Sequence, residues 1–155
     1  MDRLLIKRKV RTGCFAFVLL TVFVACAKDK VKSNDWGIKS IRVHADSAER
    51  EYNGDSFSNL HFFEQDKQQY CSFRTTYQTV FCSVKMGNSK IEFKEFKTTT
   101  MFSEGSPEWE CYMLMINLVN HYKIYKGEGT ERYRDFLDLM GDNGEKIKLQ
   151  RMGDY

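Results

Sequence analysis

The feature that most constrains the fold is a period-two alternation of apolar side chains within short segments of this 155-residue chain. In residues 79–86 (TVFCSVKM) the apolar side chains occupy every second position, which is the period of a strand with one buried face. Segments with strand composition, separated by polar turns, are 36–45, 60–64, 70–75, 79–86, 90–97, 133–140 and 145–152. They predict an antiparallel sheet or partial barrel of about seven strands.

Three local patterns refine the predicted sheet. Ile91 and Phe93 share one face, but Phe96 breaks the alternation, so we expect a bulge near Lys94–Glu95. The adjacent pair Phe62–Phe63 places one ring away from the core if the strand has one wet face. The run Gly-Asp-Asn-Gly at 141–144 favours a tight hairpin turn, because Asn and Gly tolerate positive φ.

A single helix is predicted over about 107–122. Ser106 can cap the free backbone N–H groups, Pro107 suits the first helical position, and Glu108 complements the helix dipole. We interpret the apolar stripe that follows as core, and it consists of Trp109, Tyr112, Met113, Ile116 and Val119. One helix packed on a sheet defines an α+β, β-rich fold, and the absence of β-α-β alternation argues against a parallel nucleotide-binding sheet.

The N-terminus carries an export signal. A basic head precedes twelve uncharged residues, Cys14–Ala25, which are too few to span a membrane as a helix. Phe23-Val24-Ala25-Cys26 resembles the lipobox of bacterial lipoproteins, which implies a signal peptide over 1–25 and lipidation of Cys26. Ordinary cleavage near Ala25 or Ala27 and an uncleaved anchor are the alternatives.

The resulting organisation is a polar tether over 26–35 and a single domain over 36–152. A lipidated Cys26 places this domain in the bacterial cell envelope, as an outer-membrane lipoprotein facing the periplasm or the cell surface. The net charge of +3 belongs to the signal, since residues 1–26 hold five of the 24 basic and one of the 21 acidic residues. The remaining 19 basic and 20 acidic residues give no reason to expect nucleic-acid binding.

From Trp36 to Met152 the chain resembles a META domain, the HslJ-like domain of many bacterial envelope lipoproteins. The resemblance rests on Trp36 before the first strand, on the Gly87-Asn88 turn leading into KIEFKEFKTTTMF, and on the final Asp142-Asn143-Gly144 hairpin. Thr100-Met101 matches a Thr-x-Met stretch of the family, but Phe102 stands where the family often has Cys. The resemblance implies a non-catalytic, envelope-associated domain.

Three cysteines remain after Cys26 in the chain. Cys71 and Cys82 would face each other across a hairpin turning at Thr76-Tyr77, and exported cysteines tend to pair, so they are a candidate disulfide. The alternative is that these two and Cys111 are small buried hydrophobic residues with free thiols. The chain has no C-x-x-C motif, which argues against a thioredoxin-like or zinc-ribbon fold.

The sequence contains no motif for catalysis. None of His44, His61 and His121 has a partner at metal-ligand spacing, and the chain has no G-x-S-x-G, P-loop or G-x-G-x-x-G. We therefore predict no enzymatic activity, no metal and no cofactor. One cluster of aromatic residues lies on neighbouring predicted strands and consists of Phe62-Phe63, Tyr70, Phe73, Tyr77 and Phe81. From it, Phe63, Phe73 and Tyr77 form a candidate binding surface. The alternative is that a second layer covers these rings.

Two main functions remain open. The first is a lipid-anchored envelope domain that binds a partner protein or supports envelope integrity. The second is a carrier of a small apolar ligand in a lipocalin-like cavity, and an envelope inhibitor or immunity protein is a third. The predicted partners are thus the membrane, through the N-terminal lipid, and an envelope protein or small apolar ligand. Many Phe, Met and Tyr residues favour a filled core, with Ile116 inside it.

Overall fold

The computed structural model describes residue 31 and residues 35–52, 58–99, 102–132 and 134–153. The predicted signal peptide, Cys26 and Thr100-Met101 lie outside these residues. The described chain forms one α-helix, α1 (Pro107–Asn117), and a short 3-10 helix, Gly129–Glu131. The strands are β1 (Asp35–Arg42), β2 (Arg50–Glu51), β3 (Asn59–Gln65), β4 (Gln68–Arg74), β5 (Thr79–Met86), β6 (Ile91–Thr98), β7 (Val119–Lys126), β8 (Asp135–Gly141) and β9 (Lys146–Arg151).

The strands form one antiparallel sheet in the order β6-β5-β4-β3-β1-β9-β8-β7, with β2 paired to β1. Its two end strands approach each other, since Lys90, just before β6, forms an isolated bridge with His121 of β7. The backbone N–H of Tyr122 also donates to the carbonyl of Ser89 at 2.8 Å. The sheet therefore curls into a partial barrel, which confirms the predicted α+β, β-rich class.

Large side chains fill the concave side of the curled sheet. Trp36, Phe62 and Phe73 are among the largest fully buried residues, and aliphatic side chains of β8 and β9 pack with them. Val31, inside the segment predicted to be a tether, is also fully buried in this cluster. The domain packing thus begins at least five residues before Trp36, the first residue of the predicted domain.

The strand registers confirm three of the predicted details. Glu95 adopts a φ of 55°, and the β5–β6 register shifts beside it, so the bulge lies where the broken alternation of Phe96 indicated. Phe62 is buried while Phe63 points to the other face. Residue 144, the last Gly of the Gly-Asp-Asn-Gly run, has a φ of 85° in the turn between β8 and β9.

The predicted helix was too long at its C-terminal end. Ser106 caps it as expected, accepting a hydrogen bond from Trp109 N at 3.1 Å. The helix ends at Asn117, and Val119–Lys126 is the strand β7 instead of a further helical turn. Val119 and Tyr122 are buried as strand residues on either side of a register shift at β7, so their helical spacing was coincidental.

The predicted core stripe of the helix was wrong in part, since Trp109 and Tyr112 are half-buried and pack against the core. The buried face of α1 consists of Cys111, Leu114 and Met115, whereas Ile116 is 37% exposed. The helix carries apolar residues on nearly every side, so a periodic pattern does not distinguish the core face from the face beside it. Ile116→Ala should therefore lower the free energy of unfolding by less than the truncation of a core residue would.

Candidate functional site

The candidate site is an aromatic face on the outer surface of β3, β4 and β5, formed by His61, Phe63, Tyr70 and Phe81. The rings of Phe63 and Tyr70, directly opposite in register, stack with centroids 5.6 Å apart. His61 stacks on the other side of Phe63, also at 5.6 Å. Phe81 lies on the neighbouring strand and is 42% exposed. Three strands thus present four rings on one outward surface.

Strand parity explains why these rings face outward. Leu60 and Phe62 of β3 point into the barrel, so His61 and Phe63 between and after them point out. On β5, Val80 and Cys82 are buried and Phe81 between them is exposed. The apolar alternation of the inner face therefore also fixes the positions of the outer rings.

Polar groups lie in the same outward rows. Asp35 Oδ1 is 2.8 Å from Nδ1 of His61, its direct partner across β1 and β3. Ser72 lies between His61 and Phe81 in register, is fully buried, and its hydroxyl has no hydrogen-bond partner. Asn59, one outward position before His61, has a buried side-chain oxygen that also lacks a hydrogen-bond partner. The aromatic face thus carries unused hydrogen-bonding capacity.

Asp35, His61 and Ser72 form a row with the residue types of a hydrolytic triad. A serine nucleophile must be hydrogen-bonded to the base that activates it. The Ser72 hydroxyl makes no such bond and is covered by its neighbours. In this geometry Asp35 orients His61, and the row lacks the contact between nucleophile and base that a hydrolytic triad needs.

The charges around the aromatic face are mixed. Lys94 and Lys97 of β6 face Ser83 and Phe81 in register, and Glu92 pairs with Lys94 at 2.9 Å. A shallow groove of about 310 Å³ runs over this region. Its lining includes Phe63, Tyr70, Phe81, Glu95 and Lys97. The groove therefore has an apolar floor and a rim with both signs of charge.

The structure separates the three predicted surface residues. Phe63 belongs to the aromatic face. Phe73 was assigned wrongly, because it pairs with Leu60 and Val80 on the inner face and is only 1% exposed. Tyr77 is 89% exposed, but it lies on the turn between β4 and β5 rather than on the face.

Sequence reasoning placed Tyr70 and Phe81 in the aromatic cluster but not in the candidate binding surface, and it missed His61. The signal for His61 was its distance of two positions from Phe63, which places both on one side of a strand. Tyr70 and Phe81 required the cross-strand register of β3, β4 and β5. The predicted hairpin aligns β4 with β5. The turn between β3 and β4 aligns those two strands.

The predicted register of Cys71 and Cys82 is confirmed, since they are direct partners on β4 and β5. Both are free thiols here, as is Cys111, and Cys82 Sγ lies 3.6 Å from the carbonyl oxygen of Cys71. Burial raises the pKa of Cys71, as does the adjacent Cys82 thiol, and burial raises the pKa of Cys111. The disulfide stays a prediction, and the thiols of Cys71 and Cys111 are protonated at neutral pH.

A second cavity of about 510 Å³ lies on the outer side of β1 and β9. It is lined in part by Ser40, Glu49, Lys148 and Phe136. Glu49, a carboxylate of this lining, is already paired, because it contacts Lys146 at 2.5 Å and accepts a hydrogen bond from Ser40. Burial opposes ionisation of Glu49, but these hydrogen bonds outweigh it and lower its pKa. The internal pairing leaves little for a ligand to satisfy.

The part of the chain that the structure describes contains no group of three or more His, Cys, Asp or Glu side chains placed to hold a metal ion. Within the same residues, no helix has the length and apolar character needed to cross a membrane.

Comparison with protein-family models and with curated proteins gives no match. Among solved structures, the chain is similar to one described as the NMR structure of the protein from Burkholderia xenovorans. The similarity has a TM-score of 0.62 at 15% sequence identity, and it covers 83% of this chain and 88% of that one. At this identity the likeness concerns the fold alone, a curled antiparallel sheet with one helix.

Proposed function

We propose that this chain is a non-catalytic, lipid-anchored domain of the bacterial cell envelope that binds a partner through the aromatic face. The observation that carries the proposal is the stack of His61, Phe63 and Tyr70 beside the exposed ring of Phe81. Burial of exposed rings contributes about 25 cal/mol of stabilising free energy for each Å² of apolar surface removed from water. Rings that stay in water lack this stabilisation. Contiguous exposed apolar surface of this kind is typical of interaction sites.

The position of Val31 supports a domain that works close to a membrane. If Cys26 is lipidated, only four residues separate the anchor from the fully buried side chain of Val31. The five Cα–Cα steps from Cys26 to Val31 span about 17 Å at most. A lipidated chain would therefore hold the domain against the membrane surface, where its aromatic face meets other envelope components. The META-like order of elements agrees with this assignment.

The alternative functions have less support. A lipocalin-like carrier needs an internal apolar cavity, whereas Trp36, Phe62 and Phe73 occupy the concave side of the sheet. An inhibitor or immunity protein would also use an exposed surface, so it is a particular case of the proposed binding role.

Site-specific photo-crosslinking in intact cells tests this proposal. A benzophenone amino acid placed at position 81 should yield a discrete adduct, because Phe81 lies on the aromatic face. The same probe at position 77 is the matched control, since Tyr77 is an exposed aromatic residue outside the face. The adduct at 81 should disappear when Phe63 and Tyr70 are replaced by Ala, and Cys26→Ala should release the chain from the membrane fraction.

Two results would contradict the proposal. Equal adducts from positions 77 and 81 would mean that the aromatic face has no special role. A Cys26→Ala chain that still fractionates with membranes would remove the lipid anchor from the account.

A further inference from the structure

We infer that the aromatic face rests on the surface of a lipid bilayer and that its rings enter the headgroup region. The inference rests on the proposed function, because it takes the lipid anchor at Cys26 and the binding role of this face as given, and it adds the identity of the partner. Three observations lead to it: the short connection to the anchor, the point where the chain enters the sheet, and the basic residues beside the rings.

The connection between the anchor and the folded domain is short. Val31 is fully buried in the core, and the five Cα–Cα steps from Cys26 to Val31 span about 17 Å at most. A compact domain of about 120 residues has a radius of gyration of about 14 Å, so it is wider than this reach. A lipidated chain therefore holds one side of the domain against the bilayer.

The chain enters the sheet beside the aromatic face. Asp35 is the first residue of β1, and its carboxylate oxygen lies 2.8 Å from Nδ1 of His61. The His61 ring stacks on Phe63, which in turn stacks on Tyr70. Because Asp35 follows Val31 by only four positions, the side of the domain next to the anchored segment is the side that carries the rings.

The rings have the chemistry of a membrane-interface contact. Aromatic side chains with a polar edge concentrate where a protein meets both lipid and water, since the ring is apolar and its polar edge stays hydrated. Tyr70 and His61 have such polar edges, while Phe63 and Phe81 are apolar. Phe81 is 42% exposed, so it can enter the headgroup region without a change in the sheet. A fluid bilayer surface also fits the uneven surface that stacked rings present.

Basic residues flank the rings. The outward side of β4, β5 and β6 carries four basic and two acidic residues, all of them exposed, which gives it a net charge of +2. The basic residues are Arg74, Lys85, Lys94 and Lys97, and the acidic residues are Glu92 and Glu95. Each lysine or arginine close to an anionic bilayer favours attachment. Apolar rings beside basic side chains are typical of surfaces that lie in a membrane interface.

Photo-crosslinking of the lipidated full chain, reconstituted as the only protein in lipid vesicles, tests the inference. The vesicles contain three parts phosphatidylethanolamine and one part phosphatidylglycerol, so their surface is anionic. We expect a benzophenone amino acid at position 81 to form adducts with lipid, which mass spectrometry identifies by the added lipid mass. The matched control is position 116, because Ile116 has a similar exposed fraction of 37% but lies on α1.

Two variants separate the charge from the rings. Lys97→Gln should lower the yield of the lipid adduct at position 81 by up to about fivefold in the anionic vesicles. It should have little effect in phosphatidylcholine vesicles, which carry no net charge. Phe63→Ala should lower the yield in both kinds of vesicle, because the contact of a ring with lipid does not depend on lipid charge. If Phe63→Ala fails to fold by circular dichroism, Lys97→Gln still decides the test, since its side chain is exposed.

The outcomes distinguish the inference from the proposed function. No lipid adduct at position 81, or equal lipid adducts at positions 81 and 116, would overturn the inference. If position 81 gives no lipid adduct in vesicles but a protein adduct in intact cells, the bilayer is the wrong partner and the binding role survives. An adduct in vesicles with the mass of two chains would replace the bilayer with a second copy of this chain. If neither preparation gives an adduct, both proposals are wrong.

Discussion

Two aromatic pairs on the outside of the sheet have the same geometry and opposite surroundings. Phe63 with Tyr70 and Tyr125 with Phe136 are each direct cross-strand partners, and each pair stacks at 5.6 Å. Phe63 stays partly exposed, whereas Phe136 is only 2% exposed. An outward aromatic pair on a strand is therefore not by itself a binding surface. The two pairs differ in whether other parts of the chain cover them.

The connecting segments explain the difference. The β3–β4 turn consists of two residues, Asp66 and Lys67, both with positive φ, and it is too short to fold back over the strands. The β7–β8 connection is longer, and its described residues 127–132 lie beside the outer face, where Gly127 is next to Phe136. Lys148 adds its ammonium 4.8 Å from the Phe136 ring. The longer connection covers Phe136, and the tight turn leaves Phe63 and Tyr70 partly exposed.

The largest expected difference between the two pairs is in stability. Phe136→Ala should lower the free energy of unfolding by about 3–5 kcal/mol, as for a covered core ring. Phe63→Ala should cost about 1 kcal/mol, because its ring is already partly in water. Urea unfolding of both variants measures the difference. Equal costs would mean that the two pairs are equally covered.

A substitution at Gly127 would disturb the packing of the β7–β8 connection against Phe136. A Cβ at this position would lie 2.4 Å from the backbone oxygen of Glu131 and 2.7 Å from the Phe136 ring. Gly127→Ala should therefore cost about 1–3 kcal/mol, in the range of overpacked sites. The control is Gly153→Ala, because an added Cβ there meets nothing within 4 Å. A thermal melt of Gly127→Ala that matches the control would show that the connection does not press on Phe136.

Stability at alkaline pH tests the burial of Tyr125 and Cys111. Burial and the nearby Asp138 carboxylate raise the pKa of Tyr125, and burial raises the pKa of Cys111. Both groups stay neutral in the fold while their unfolded forms ionise, near pH 10 and pH 9. Stability is thus fully present below pH 9 and falls above it, by up to about 1.4 kcal/mol per pH unit for the fully buried Cys111 and by less for Tyr125, whose partial exposure lets solvent screen its shift.

Melting temperatures from pH 7 to 10.5 measure this decline. Tyr125→Phe should make the fall above pH 10 shallower, since the phenol is removed and the ring is kept. A chain whose stability stays constant to pH 10.5, or a variant with an unchanged slope, would contradict the burial of these groups.

The smallest predicted effect concerns the open face. Ser72→Ala removes a buried hydroxyl that has no hydrogen-bond partner, so it should be neutral or stabilise the fold by up to about 1 kcal/mol. The matched control is Ser83→Ala on β5, where the hydroxyl donates to the Lys94 carbonyl at 3.3 Å, and it should destabilise by about 1 kcal/mol. If Ser72→Ala destabilises as much as its control, the hydroxyl has a partner in solution.

The side chains on the inner face of the sheet could be predicted from sequence, because the alternation along each strand decides which of them point inward. Alternation around Phe62 and Phe63 gave the face of each ring, and the interruption at Phe96 gave the bulge. The helix face could not be predicted, since both Leu114 and Ile116 continue an apolar pattern and only tertiary contacts choose between them.

The cover over an outward ring depends on the path of a distant connection. Phe136 and Phe63 have similar strand contexts, and their local sequence does not show that Gly127 and Glu131 lie beside one of them. The aromatic face required the register of three strands at once. For this reason one of its four rings, Phe63, was predicted and Phe73 was mistaken for another.

Carbene footprinting with mass spectrometry tests the central claim most directly, by comparing the purified full chain with the chain in intact envelopes. We predict that Phe81 is labelled in the purified chain and protected in envelopes, while Tyr77 is labelled in both and Phe136 in neither. Equal labelling of Phe81 in both preparations, or its protection in the purified chain, would contradict an open aromatic face that is occupied in the envelope.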